Sequence, residues 1–187
     1  MKNKLVAGYL ALNIGFLMSA NAEMEKISDF DGKEGEPKLE VKGDRVMGGR
    51  SEGEVVTEDG VLKFSGKLSL ERNGGFIIFL MKGLELDFSG KEAFVLRVKG
   101  DGRKYKVRME LEPKNPACKQ FHADLETKAG EFVEVKVPFS AFRPGWGGQI
   151  MEGDAPEDLS RILKVGLILA DYEQGPFSVE LDWIGVE

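Results

Sequence analysis

From Val55 onward, apolar residues recur at every second position. Residues 104–112 show this most cleanly. Tyr105, Val107, Met109 and Leu111 share one face, and Lys104, Lys106, Arg108, Glu110 and Glu112 the other. A helix would scatter the four apolar side chains around its circumference, whereas a strand puts them on one side. The same alternation places Phe94, Leu96 and Val98 on one face, as it does Phe121, Ala123 and Leu125. It also groups Val133, Val135 and Val137, and Phe177, Val179, Leu181 and Trp183. Strands with one apolar and one charged face belong to antiparallel sheets with one side in water.

Two runs break the alternation by being apolar on both faces, residues 75–81 (GFIIFLM) and 163–170 (LKVGLILA). Such strands sit in a sheet covered on both sides. Turn signals separate the runs at Asp59-Gly60, Asn73-Gly74-Gly75, Ser89-Gly90, Gly100-Asp101-Gly102, Ala129-Gly130 and Gln174-Gly175-Pro176. Many short strands spaced by such turns predict an all-β antiparallel sandwich or jelly roll. One short helix is expected over 156–162 (PEDLSRI), capped by Asp154 and opened by Pro156. Residues 23–43 are polar and glycine-containing and read as a loosely ordered lead-in, so the sandwich domain is expected over 44–187.

The first 22 residues have a different pattern. Lys2 and Lys4 precede the apolar stretch 5–18, and Ser19-Ala20-Asn21-Ala22 follows with small residues in an A-x-A arrangement. This reads as a secretory signal cleaved after Ala22, which predicts a periplasmic or secreted protein with no stable membrane span after cleavage. The 14-residue apolar run is short against the ~20 residues that cross hydrocarbon. Of the 187 residues, 26 are basic and 32 acidic, a net charge of −6. That balance argues against a nucleic-acid partner, since phosphate neutralisation needs clustered Lys and Arg. Cys118 is the only cysteine, so no internal disulfide forms, and the core must hold the fold.

Catalytic chemistry finds little support. The single histidine, His122, falls on the charged side of its strand, where it reads as a solvated residue. One His and one Cys cannot assemble a zinc site, and no G-x-S-x-G elbow is present. The pairs Asp124/Glu126 and Glu180/Asp182 read as solvent-facing charges. Asp171, Asp182 and Glu187, near strand ends, lack any calcium-loop spacing. No cofactor or metal is therefore expected. The segment 138–149 (PFSAFRPGWGGQ) has two prolines that exclude a continuous central strand, and it sets Trp146 between glycines. That tryptophan either closes over the core as a lid or offers an aromatic surface to a ligand.

The segments DRVMGGRS (44–51), NGGF (73–76), KGDGRKY (99–105), VPFSAFRP (137–144) and KVGLILAD…GPFSVELDWI (164–184) resemble, in order and spacing, the complex I intermediate-associated protein 30 family. The resemblance covers roughly residues 40–186. It implies a galactose-binding-like β-sandwich, in agreement with the periodicity, and a role like that of the mitochondrial member, which helps assemble respiratory complex I. It carries no catalytic residues. The expected function is a non-catalytic binding module that engages another protein in an assembly or chaperone-like role. The alternative is a carbohydrate-binding module that takes polysaccharide. Candidate binding residues are Asp44, Arg45, Met47, Arg50, Ser51, Asp101, Arg103, Trp146 and Tyr172.

Overall fold

The computed structural model of the protein describes residues 24–112 and 120–187. The leader expected over 1–22 and Cys118 lie outside the described residues. Among the described residues thirteen strands follow one another: β1 (Glu25–Ser28), β2 (Lys38–Gly43), β3 (Glu52–Glu58), β4 (Val61–Leu68), β5 (Ile77–Leu86), β6 (Ala93–Lys99), β7 (Tyr105–Leu111), β8 (Gln120–Leu125), β9 (Phe132–Pro138), β10 (Arg143–Trp146), β11 (Gln149–Ile150), β12 (Ile162–Leu169) and β13 (Gly175–Val186). One sheet runs β3-β4-β13-β6-β9, with β1 added along β13. The other runs β11-β10-β8-β7-β12-β5-β2. All these strand pairs are antiparallel. The expected all-β sandwich is the observed architecture.

The alternating residues meet between the two sheets. Tyr105, Val107 and Met109 from one sheet face Phe94, Leu96, Val98, Val179 and Leu181 from the other, and all are buried in a single core. Four phenylalanines lock one end of it. Phe94 meets Phe139 edge-on at 5.0 Å and Phe88 at 5.6 Å, and Phe142 packs on Phe94 at 5.8 Å. Edge-to-face rings add stability beyond the area they bury. The two-sided apolar strands sit where the sequence predicts. Ile77, Phe79 and Met81 of β5 enter the main core. Ile78 and Leu80 turn to the opposite face and join Ile168 and Ala170 in a second buried cluster.

Three features depart from the sequence reading. The lead-in contains two strands, because Leu39 and Val41 alternate with Lys38, Glu40 and Lys42 and pair with β5. The helix expected over 156–162 does not form. Asp158 instead accepts hydrogen bonds from the Ser160 amide (3.0 Å) and hydroxyl (2.6 Å), and Ile162 starts β12. A seven-residue stretch cannot offset the cost of helix nucleation against these alternatives. In β13 a register shift between Leu181 and Trp183 hands the core positions to Ile184 and Val186 and turns Trp183 to the half-exposed side.

Truncating Phe94 to alanine removes the ring on which three others pack. The expected loss is about 3–5 kcal/mol of unfolding free energy, read by urea denaturation.

Candidate functional site

One end of the sandwich gathers nearly every unusual segment. β2 ends where β5 begins (Gly43 opposite Ile77), β12 ends opposite the starts of β5 and β7 (Leu169 with Ile77 and Tyr105), and β13 starts opposite the end of β4 (Gly175 with Leu68). The connections 44–51, 69–76, 100–104 and 170–174 therefore share a rim.

Asp44 organises one half of it. The residue opens a short 3-10 turn (Asp44–Met47) and is fully buried. Its carboxylate accepts hydrogen bonds from the Ser51 amide (2.9 Å), the Ser51 hydroxyl (2.5 Å), the Gly75 amide (2.7 Å) and the Phe76 amide (3.4 Å). Ser51 Oγ in turn accepts from the Ser69 amide at 3.0 Å. One side chain thus ties the connections 44–51 and 69–76 together. Burial alone would raise the Asp44 pKa, but the donors from Ser51, Gly75 and Phe76 outweigh it and hold the group below its ordinary value. The M-G-G segment follows from this packing, since a Cβ on Gly49 would lie 2.3 Å from an Asp44 carboxylate oxygen.

Arg103 organises the other half. Its guanidinium donates to both oxygens of Asp171 (2.7 Å each), to the Pro176 carbonyl (2.8 Å) and to the Glu173 carbonyl. Asp101 accepts from the Arg103 amide (3.0 Å), the Ser178 amide (2.6 Å) and the Tyr105 hydroxyl (3.2 Å). Burial, then the Asp101 charge, pushes the Tyr105 phenol up, so it remains a donor. With Asp171 and Glu173 both gripped, Tyr172 between them takes a left-handed backbone (φ 61°) and turns its ring outward, 63% exposed.

A hairpin of β10 and β11 crosses toward this rim. It leaves the edge of β8 at Arg143 and Pro144 and lies over the outer face of its own sheet. There Gly148 approaches so closely that a Cβ on it would sit 2.1 Å from Ala170 Cβ. The hairpin covers the second apolar cluster, and Gln149 Nε2 donates to the Tyr172 hydroxyl at 2.9 Å. Trp146 stays 67% exposed, so it is not a lid over the core. Among the exposed large apolar side chains, Val46, Met47, Leu70, Trp146, Ile150, Met151 and Tyr172 all belong to the hairpin or the adjoining rim, with Val56 lying elsewhere.

His122 corrects an expectation. It lies on the outer sheet face as the alternation predicts, but the hairpin covers it beneath Gly145, and its exposure is 0% rather than that of a solvated residue. Among the described residues neither ring nitrogen makes a hydrogen bond of good geometry. Burial first, then the positive charges of Arg108 and Lys106, lower its pKa from 6.5 to about 4.

The expected site residues fall into two groups. Asp44, Ser51, Asp101 and Arg103 are committed to the two internal clasps. Arg45 and Arg50 are exposed and pair with Glu52 (3.2 Å) and Glu71 (3.1 Å), and Met47, Trp146 and Tyr172 present apolar surface. The acids weighed for calcium do not converge: Asp171 holds Arg103, Asp182 holds Arg97, and Glu187 holds Lys136. Asp29, Asp31 and Glu36 do lie together, but Lys33 and Ser28 already engage them. Arg108, Lys42, Val46 and Phe76 border the same pocket as Met47 and Trp146 and were not among the expected site residues. The signal for them was the two-sided strands, because Ile78 and Ile168 on the outer face require a cover.

This is the architecture of a β-sandwich module. The chain superposes on a family 11 carbohydrate-binding module of a cellulosomal cellulase from Clostridium thermocellum with a TM-score of 0.63, over 87% of this chain and 94% of that one, at 14% identity. The family model of complex I intermediate-associated protein 30 matches residues 28–181, and the chain belongs to that family. Mouse mitochondrial complex I intermediate-associated protein 30 is 31% identical over 180 residues, covering 84% of this chain and 54% of its own length. The Drosophila melanogaster protein of that name is 26% identical over 136 residues, covering 70% and 46%. The chain thus spans about half the length of these curated relatives. Both are named as mitochondrial proteins, which overturns the expectation of a periplasmic or secreted protein. The export reading rested on a basic start, an apolar run and small residues, and these features do not fix a destination. Among the described residues no helix is long and apolar enough to cross a membrane.

Two measurements check the geometry. Asp44→Asn places amide hydrogens against the Ser51 and Gly75 donors and is expected to cost about 2–4 kcal/mol in urea unfolding. Arg50→Ala, which removes an exposed pair, changes stability by less than about 0.5 kcal/mol. An imidazole held at about 4 when folded against 6.5 when unfolded gains its proton only on unfolding in that interval. Stability from His122 is therefore fully present above pH 6.5 and declines, by up to roughly 3 kcal/mol, as pH falls toward 4. The single imidazole signal in an NMR titration is expected to stay unchanged from pH 7.5 to about 5.

Proposed function

We propose that the chain is a non-catalytic, protein-binding module that serves the assembly of a respiratory complex, with the hairpin and adjoining rim as its docking surface. The observation that carries this reading is the group of exposed apolar side chains: Val46, Met47 and Tyr172 on connections fixed by Asp44 and Arg103, and Trp146, Ile150 and Met151 on the adjoining hairpin. Exposed apolar side chains are ordinary when scattered, but their concentration on one rigid rim marks an interaction surface. Family membership supports the choice of a protein partner, because the relatives are named for their association with a complex I intermediate.

Carbohydrate binding is the second reading. It is favoured by one observation: Trp146 and Tyr172 are both exposed on the same rim, and Gln149 of the hairpin bonds Tyr172. Two aromatic faces flanking an amide can receive a sugar ring.

A photo-crosslinking residue placed at Met47 or at Ile150 is expected to capture a complex I subunit or another assembly factor in respiring cells, whereas the same residue at Val56 captures neither. Equal capture from all three positions would remove the rim from the proposal. Titration of polysaccharides against tryptophan fluorescence tests the second reading, which requires a saturable change that is lost in Trp146→Ala.

A further inference from the structure

Between the 3-10 turn that follows β2 and the β10–β11 hairpin lies a pocket of about 170 Å³. Met47, Phe76, Ile78 and Trp146 supply apolar walls, and two cations, Lys42 and Arg108, border it. Among the described residues no acid lines it. Arg108 is 6% exposed, and among the described residues its buried Nε has no acceptor. A buried guanidinium N–H without a partner is costly, and a ligand acceptor would relieve that cost.

The charge around the pocket is uneven. Glu110 serves both Arg108 and Lys164, the latter at 2.5 Å. Glu40 likewise serves both Lys42 (3.0 Å) and Lys82 (3.1 Å). Each group sets two cations against one carboxylate, so the floor carries an excess of positive charge on a protein whose overall charge is −6. His122, neutral at physiological pH, adds none. The volume falls below the roughly 300–1,000 Å³ of pockets for drug-sized ligands, which sets the occupant at the size of one large apolar side chain with its head group.

We infer that this pocket is a binding site for a small amphiphilic carboxylate, whose apolar body lies against Trp146, Met47 and Phe76 and whose anionic head meets Arg108 and Lys42. A free acid and the C-terminal residue of a peptide share that chemistry. The site does not depend on the assembly role, because a free acid fills it with no protein bound.

The test is an NMR titration of the full chain that follows the Trp146 indole N–H, with the Trp183 indole as internal control. The probes are N-acetyl-leucine, its amide, and a hexapeptide ending in leucine with a free or an amidated C-terminus. The expected result is saturable movement of Trp146 alone, with a Kd on the order of 1 mM for N-acetyl-leucine, and no saturation by either amide. The free acid and the free-terminus peptide binding alike supports a site for the carboxylate itself. A peptide that binds about tenfold tighter assigns it to a chain terminus. Lys42→Gln, a half-exposed position, should weaken binding about threefold, and Arg108→Gln about tenfold. If Arg108→Gln fails to fold, Lys42→Gln and the acid-against-amide comparison still decide. No saturable shift with either acid, or equal binding of acid and amide, overturns the inference.

Discussion

A carboxylate with no access to water must be met by hydrogen-bond donors, and at Asp44 those donors come from the far end of its own connection and from the connection that leads into β5. The whole rim depends on that demand. Satisfying Asp44 fixes Ser51 at the start of β3, Gly75 before β5 and, through Ser51, Ser69 at the end of β4. Once these are set, the side chains between them have no freedom to turn inward, and Val46 and Met47 are left facing solvent. Arg103 repeats the device across the rim with the signs exchanged: a buried cation collects the carboxylate and carbonyls of the 171–176 connection, and Tyr172 is turned out. The buried polar groups position the exposed apolar ones.

The hairpin links this rim to the sheet face beneath it. Ile78, Ile168 and Ala170 would be exposed on the outer side of a bare sheet, and the hairpin lies against them while leaving Trp146 at the margin. The same cover removes His122 from water and places Arg108 at a nearly dry floor. Membership of the complex I intermediate-associated protein 30 family and a fold shared with carbohydrate-binding modules are therefore compatible in one molecule. The sandwich is the common frame, and the loops at its rim and the hairpin on its face give this chain its particular surface.

Much of the frame was legible in the sequence. The alternation at Tyr105, Val107, Met109 and Leu111 named the buried face of β7, and the same rule worked for β6 and β8. It failed where its premise failed. A polar face predicts exposure only if nothing folds over it, and His122 and Arg108 lie under a hairpin that begins only at Arg143. The bulge in β13 shifted the pattern by one position, which no local periodicity announces. The motif residues were visible as a group, but Asp44 and Arg103 looked like ligand-binding groups because their partners, Gly75 and Asp171, lie 31 and 68 positions away. Charge type can be read from a sequence, but whether a charge is already engaged cannot. The strand β2 escaped notice because only Leu39 and Val41 mark its buried side.

Among the described residues five strands have an open edge: β3, β9, β2, β11 and the four-residue β1, which carries Glu25 and Lys26. β3 carries Glu52, Glu54 and Glu58, β9 carries Glu134, Lys136 and a terminal Pro138, β2 alternates Lys38, Glu40 and Lys42, and β11 has only two residues. Charge, proline and brevity are the means by which sheets discourage another chain from joining their open hydrogen-bonding groups. The sandwich is thus a closed unit along its margins, protected against fibrous self-association. That disposition favours specific contacts written in side chains, at the ends and on the face of the sandwich, over backbone pairing.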